Sequence, residues 1–205
     1  MTSPQPTSDD SDERYRIIHA GFTNDAITAR TGLTHSEPEV RMSALRALAR
    51  LQQLNDDDIK NALSDVDYAV RKCAVELSVS HPLVDITAML SDSDVFVAEM
   101  TAWVLGERTS PTDHEITTLI NAVYSHHEAL VREAAAAALG SIGDERGLPA
   151  ILHACNDKPA VRRRAVLALA PFEGDEVTAA LENAINDRDW QVRQNAEDLL
   201  HPRGY

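Results

Sequence analysis

The sequence has few aromatic residues, and this scarcity narrows the fold class. Phenylalanine, tyrosine and tryptophan together make up 4% of the 205 residues, whereas hydrophobic residues as a whole make up 43%. A β-sandwich would draw more heavily on aromatic and β-branched side chains. Alanine and leucine are the frequent apolar residues instead, and such small aliphatic side chains are typical of packed helices.

The sequence also lacks closely spaced cysteines and long apolar runs. Its two cysteines, Cys73 and Cys155, have no metal-binding spacing, so we interpret both as reduced core thiols. No apolar run approaches the roughly 20 residues that a membrane span needs. The N-terminus has no basic start followed by an apolar stretch, as a secretory signal would. We therefore expect a cytoplasmic protein with no membrane partner.

Basic residues are scarce relative to acidic ones. The 19 lysines and arginines stand against 33 aspartates and glutamates, which gives a formal net charge of -14 at pH 7. A charge of this sign repels a phosphate backbone at long range. The composition therefore argues against general binding of nucleic acid or of anionic membranes.

One pattern recurs through the chain: a valine, a small residue four positions later and an apolar residue at seven. Residues at this spacing lie on one face of an α-helix. The valines recur every 27 to 34 residues, and a period near 30 fits two helices and two turns. The valines are Val40, Val70, Val97, Val131, Val161 and Val192.

The breaks between the helical faces are rich in Asp and Asn. Segments such as Asp65–Asp67 and Asp187–Asp189 place a capping side chain just before the second helix of a pair. The pattern predicts six helix pairs: 26–34 with 38–51, 56–63 with 67–80, 83–90 with 94–107, 113–124 with 128–141, 147–154 with 158–170, and 175–185 with 189–200.

These residues resemble the HEAT family, in particular the bacterial short HEAT-like repeats also found in phycocyanobilin lyases. The closest stretches are Glu128–Pro149 and Asp187–Arg193, and the resemblance extends over roughly residues 25–200. It implies an all-α fold, a right-handed, armadillo-like α-solenoid (α-α superhelix) of about six HEAT-like helix pairs. It carries almost no information about function, because one fold carries many functions.

The resemblance also implies a structural ladder, in which the arginine after each valine pairs with an aspartate between two helices. The third repeat departs from this pattern, with Ala98 in place of the arginine and Thr101 in place of the small alanine. One arginine–aspartate pair of the ladder is therefore expected to be missing. Either the third repeat is locally looser, or its face is used for something else. The ladder arginines are Arg41, Arg71, Arg132, Arg162 and Arg193.

The N-terminal segment differs in composition from the repeats. Residues 1–12 are polar, acidic and contain proline, so we expect a disordered acidic tail. Residues 13–205 are expected to form a single solenoid domain. Within it, Glu13–Ala20 is predicted to be a short helix that caps the open end of the stack. Capped ends favour a monomer.

A search for catalytic or metal-binding constellations finds none. The pairs His114-Glu115 and His127-Glu128 resemble the His-Glu pairs of HEAT-fold iron hydroxylases, but they fall at predicted helix beginnings rather than just after Val-Arg. The sequence contains no Gly-rich phosphate loop, no Gly-x-Ser-x-Gly and no Cys-x-x-Cys. We therefore predict that the protein is not an enzyme and that it has no cofactor and no metal site.

The second helices of HEAT pairs usually line the concave face, so positions +2 and +6 from each valine are candidates for partner binding. Trp103 stands out, because a large aromatic on a charged surface is a candidate hot spot. The alternative is that Trp103 folds into the helix pairing and fills the space left by Ala98. We interpret Trp190, in an Asp-x-Asp turn, as structural. The candidate positions are Arg46, Lys72, Glu76, Glu99, Trp103, Glu133 and Arg163.

The predicted function is a non-catalytic scaffold that binds a partner protein of unknown identity on the concave face. The alternative implied by the resemblance is a bilin-lyase-like enzyme, or an enzyme accessory or chaperone. A third hypothesis, nucleic-acid binding, rests on Arg162–Arg164, which resembles the basic groove of HEAT-like alkylpurine DNA glycosylases. The net charge argues against it. Since the ladder leaves two of these arginines free, an acidic protein partner fits the cluster better.

Overall fold

The structure is a computed structural model that describes residues 8–201. Within those residues the chain is helical and contains no β-strand. The described α-helices are α1 (Ser8–Ala20), α2 (Ala26–Thr31), α3 (Pro38–Arg50), α4 (Asp56–Ala62), α5 (Tyr68–Leu77), α6 (Val95–Gly106), α7 (Asp113–Ser125), α8 (Ala129–Ile142), α9 (Leu148–Ala154), α10 (Pro159–Ala168), α11 (Asp175–Ala184) and α12 (Trp190–Leu200).

The first of two compact units, Met1–Ile86, contains helices α1 to α5. Helix α3 lies at its centre and packs against α1, α2 and α5, while α4 packs against α5. The two predicted pairs, α2 with α3 and α4 with α5, are therefore both formed. The second helices α3 and α5 pack directly on each other, which makes a continuous layer within this unit.

The second unit, Thr87–Tyr205, contains helices α6 to α12. Its second helices α6, α8, α10 and α12 pack in that order, each against the next. The first helices α7, α9 and α11 pack against their own partners α8, α10 and α12. The predicted fold class, all-α and built from HEAT-like helix pairs, is confirmed.

The repeated valine and small residue form the core of each pair. All six valines are buried, with at most 1% of their surface exposed. The residue four positions later is fully buried in every repeat, including Thr101, whose hydroxyl donates to the Val97 carbonyl at 2.8 Å. The small side chains at this position let neighbouring helices approach, which fixes the spacing of the layers.

The N-terminal helix is longer than predicted. Helix α1 begins at Ser8, so residues 8–12 are helical where the sequence predicts disorder, and residues 1–7 lie outside the described residues. Asp9 and Asp10 occupy the first turn, where carboxylates favour the positive end of a helix. The acidic composition that suggests a tail therefore also suits a helix start.

Helix α1 packs against α2 and α3, the position expected of a capping helix. Of its large apolar side chains, Ile17 is fully buried while Tyr15 is 71% exposed. The prediction of a single domain over 13–205 stays a prediction, since each unit has its own dense set of contacts.

The first helix of the third pair differs from the prediction. An α-helix is expected over 83–90, but the structure has a 3₁₀ segment at Thr87–Ser91 preceded by turns. The preceding sequence begins with Pro82 and is rich in β-branched residues, both of which lower helix propensity. None of the helices in 8–201 has the length and apolar character needed to cross a bilayer.

Candidate functional site

The exposed face of α6, α8 and α10, here called the second-helix face, carries an aromatic cleft. Trp103 projects from α6 with 49% of its surface exposed, so it does not fold into the helix pairing. Glu99 and Glu107 lie four residues before and after Trp103, which places both carboxylates on the same side of the helix. The indole is therefore flanked by Glu99 within α6 and by Glu107 at the C-cap of that helix.

Helix α8 forms the opposite wall of this cavity, the Trp103 cleft, which has a volume of about 350 Å³. Leu130 and Glu133 lie on that wall, together with the small side chains of Ala134 and Ala137. Arg164 reaches the cleft from α10. The lining residues are Glu99, Trp103, Gly106, Glu107, Leu130, Glu133, Ala134, Ala137, Ala138, Ser141 and Arg164.

The floor of the cleft exists because α6 and α8 approach each other closely. A Cβ atom added at Gly106 would lie 2.8 Å from the Cα atom of Ala138, which is closer than real side chains come. Ala134 and Ala137 add little bulk on the α8 side. The cleft is therefore open above a tightly packed contact between two helices.

The charge of the cleft is mainly negative. Three carboxylates line it, against the single guanidinium of Arg164. Nε of Arg164 lies 3.7 Å from Oε1 of Glu133, a loose ion pair with the arginine side chain half exposed. Glu99 and Glu133 are partner-binding candidates from the sequence, and Arg164 is singled out there as part of the basic cluster. The sequence does not single out Glu107 or Leu130. The spacing of four between Trp103 and Glu107 is the signal that could have identified Glu107.

The arginine cluster 162–164 is more fully engaged than the sequence suggests. Arg162 makes two hydrogen bonds of 2.8 Å to the Asp187 carboxylate. Arg163, expected to be free, donates to Asp189 at 2.5 Å, and this contact lowers the pKa of Asp189 to about 2. The expectation of two free arginines is therefore wrong.

The ladder geometry is visible within each unit. Arg41 donates to both oxygens of Asp65 at 2.7 and 2.6 Å. Arg132 donates to both oxygens of Asp157 at 2.6 and 2.8 Å, which lowers the pKa of that carboxyl. Arg71 and Arg193 donate to carbonyl oxygens before their own helices, those of Asp65 at 2.9 Å and Asp187 at 2.7 Å.

The third repeat lacks the arginine, and the following repeat lacks the matching aspartate. Ala98 is fully buried at the arginine position. Five residues before Val131, where Asp65 and Asp187 stand relative to their own valines, this chain has His126. Nδ1 of His126 accepts the Glu128 N–H at 3.1 Å, in the same way that Asp187 accepts the Asp189 N–H at 2.8 Å.

The candidate residues of the first unit lie on α3 and α5. Arg46 and Glu76 face each other, with their charged atoms 3.6 Å apart and both side chains at least half exposed. Lys72 is half-buried on α5. This surface is charged and holds no exposed aromatic at the +2 and +6 positions, in contrast to α6.

The two His-Glu pairs differ in their surroundings. His127 and Glu128 are exposed side chains whose Nε2 and Oε1 atoms lie 3.8 Å apart, whereas the His114-Glu115 pair has structural partners. Glu115 is 3% exposed, pairs with Arg108 and closes a capping box with Thr112, while His114 contacts the Thr87 hydroxyl at 3.1 Å. Among the described residues, no group of three His, Cys, Asp or Glu side chains is placed to hold a metal ion.

The remaining singled-out residues are two cysteines and a tryptophan. Burial raises the pKa of Cys73 and of Cys155 to about 11, so both are neutral thiols at physiological pH. Trp190, at the start of α12, is 66% exposed. This exposure gives no support to the interpretation that its ring has a structural role in packing.

Two family models match the sequence. The model described as HEAT repeats matches residues 83–170, and the model described as PBS lyase HEAT-like repeat matches residues 161–187. The chain belongs to the HEAT-repeat family. The two matches together span about half of this HEAT-repeat chain and include all of α6, α8 and α10, the helices of the second-helix face. A comparison with curated proteins finds no match.

Solved structures similar to this HEAT-repeat chain share its fold at low sequence identity. An engineered protein is 20% identical over 92% of this chain and 62% of its own, with a TM-score of 0.57. Human deoxyhypusine hydroxylase in complex with glycerol is 19% identical over 91% and 76%, with a TM-score of 0.48. A designed armadillo repeat protein in complex with peptide (KR)4 is 17% identical over 91% and 85%, with a TM-score of 0.45. The first likeness shows the fold alone, and the other two carry no argument about function.

Proposed function

We propose that this HEAT-repeat chain is a non-catalytic scaffold that binds a partner protein on the second-helix face of the unit Thr87–Tyr205. The observation that carries the proposal is the Trp103 cleft. A half-exposed tryptophan beside an open cavity of about 350 Å³ has the composition of an interface hot spot. The repeat fold supplies the surface, and the cleft gives that surface a place for an anchoring side chain.

The rest of the second-helix face has the character of an interface rim. Arg163 of α10 lies outside the cleft and pairs with Asp189, while Glu133 and Arg164 of the cleft lining pair with each other. Leu130 and Leu167 add exposed apolar surface on α8 and α10. Protein interfaces commonly place such polar residues around a desolvated centre.

Affinity purification with matched tryptophan variants tests the proposal. Trp103→Ala removes the aromatic from the cleft, whereas Trp190→Ala removes an indole that is even more exposed, elsewhere in the same unit. We expect the partners of the unmodified protein to be kept by Trp190→Ala and to be weakened at least about tenfold by Trp103→Ala. Partners kept by a folded Trp103→Ala protein would place the binding site elsewhere.

The bilin-lyase-like alternative rests on the family match over residues 161–187. That segment contains most of α10 and contributes Arg164 to the cleft. Absorbance measured after mixing with a linear tetrapyrrole tests this alternative, and the absence of a bound chromophore would remove it. The nucleic-acid hypothesis is weakened because Arg162, Arg163 and Arg164 each have a carboxylate partner.

A further inference from the structure

The chemistry of the Trp103 cleft points to one kind of anchoring side chain. The order along the chain is carboxylate, indole, carboxylate, with Glu99 one helical turn before Trp103 and Glu107 four residues after it, at the C-cap of α6. Glu133 stands on the α8 wall. The half-exposed ring can thus receive a partner group that meets negative charge on both sides.

We propose that the cleft binds an arginine side chain of the partner protein, stacked on the Trp103 indole with its guanidinium between the carboxylates. This proposal rests on the proposed function and specifies what the scaffold recognises. A guanidinium is planar, so it stacks on an aromatic ring while its edge donates hydrogen bonds to carboxylates. A cation is chosen because its positive charge complements the mainly negative charge of the cleft.

The shape of the cleft also suits this occupant. Gly106, Ala134 and Ala137 leave depth beside the indole, and Leu130 offers apolar surface for the methylene stem of the arginine. A lysine ammonium is a compact, strongly hydrated charge that gains less from a planar ring. An acidic side chain would meet three carboxylates and only one guanidinium, which is already beside Glu133.

The chain itself contains an arginine stacked on an aromatic ring. In the first unit, the guanidinium carbon of Arg50 lies 4.1 Å above the centroid of the Phe22 ring. Phe22 is 66% exposed, so this ring is more accessible than the half-exposed Trp103. Such stacking at an exposed ring therefore fits the surface chemistry of this protein, and the proposed arginine would supply it in trans.

The two tryptophans make the proposal testable by NMR on the full chain. A ¹⁵N-labelled protein gives one indole N–H signal each for Trp103 and Trp190, and Trp190→Phe assigns them. The probes are three short capped peptides that differ only at a central residue: arginine, its uncharged isostere citrulline, or lysine. We expect the arginine peptide to shift the Trp103 signal and leave the Trp190 signal in place.

We further expect the citrulline peptide to bind at least about tenfold more weakly than the arginine peptide, and the lysine peptide to fall between them. Glu99→Gln and Glu107→Gln should each weaken arginine binding several-fold, because each removes one carboxylate beside the ring. The matched control Glu197→Gln removes an exposed carboxylate on α12, outside the cleft, and should leave the affinity unchanged.

Equal binding of the arginine and citrulline peptides would overturn the arginine proposal, as would equal shifts of both indole signals or no shift at saturating peptide. The proposed function fails by a different result, the retention of partners by Trp103→Ala. A partner that is lost from Trp103→Ala while the cleft shows no preference for arginine would leave the scaffold function standing and remove only the cationic anchor.

Discussion

At the scale of single residues, glycines set the distance between second helices. A Cβ atom added at Gly140 of α8 would lie 2.7 Å from the Cα atom of Ala168 on α10. The corresponding contact joins Gly106 to Ala138 between α6 and α8. Because the nearest atoms include backbone, no side-chain rotation relieves the overlap, and the helices would have to move apart.

Gly140→Ala should therefore destabilise the protein although alanine is the better helix former. The helix preference favours alanine by about 1 kcal/mol. Overpacking costs about 1–3 kcal/mol, so we expect a net loss of about 1 kcal/mol in the free energy of unfolding. Denaturant titration measures it, with exposed Ser141→Ala on the same helix as the control. A more stable Gly140→Ala protein would contradict the close approach described for α8 and α10.

The sequence makes Trp103 a candidate for the exposed face, because it stands six residues after Val97, but it leaves open that the ring folds into the helix pairing. It does not decide between an interface and a packing role, because that depends on how far α8 stands from the ring. Glu107, Leu130 and Arg164 join the cleft only through the packing of three helices. Their contribution could not be predicted from the spacing within one repeat.

At the scale of elements, the turn before each second helix couples two neighbouring repeats. The Asp187 side chain accepts the Asp189 N–H at 2.8 Å and also pairs with Arg162 of the preceding helix pair. In the turn between α7 and α8 of the fourth pair, His126 replaces the aspartate, and the preceding repeat has Ala98 in place of the arginine. Burial lowers the pKa of His126, which keeps its Nδ1 available as an acceptor. The turn thus keeps its hydrogen bond without burying an unpaired carboxylate.

A double-mutant cycle at Ala98 and His126 tests this coupling. His126→Asp alone should destabilise the protein, because it places a partly buried carboxylate without an arginine. Ala98→Arg alone should also destabilise it, because it introduces a cation at a fully buried position. The double variant should recover stability, with a coupling of about 2 kcal/mol between the two changes. Additive losses in denaturant titrations would show that the two positions are not coupled.

The helix pairs could be predicted because each second helix repeats a valine and a small residue in one register. The 3₁₀ segment at Thr87–Ser91 could not be predicted in this way. The repeat period places an α-helix there, whereas the local β-branched residues disfavour a helix. The start of α1 at Ser8 was also missed. Acidic residues are equally consistent with a solvated tail and with the first turn of a helix, and composition alone does not separate the two.

At the scale of the whole molecule, membership of the family indicates the fold, whereas the surface chemistry indicates where a partner would bind. Membership of the HEAT-repeat family follows from a pattern repeated six times, so it survives one irregular repeat. The proposed binding site lies in that irregular repeat, where Trp103 of α6 stands between Glu99 and Glu107. A net charge of -14 would favour encounter with a cationic partner and make its association salt-dependent.

The central claim is that a partner protein docks in the Trp103 cleft, and site-specific photo-crosslinking tests it most directly. A photoreactive amino acid replaces Ala137, which lines the cleft, or Ala179, an exposed alanine on α11. Both positions are alanines in the same unit, so the two variants differ only in where the photoreactive group is placed. We predict a crosslinked partner from position 137 that depends on Trp103 and is absent from position 179. Crosslinking of the same partner from position 179 but not from 137 would contradict the account.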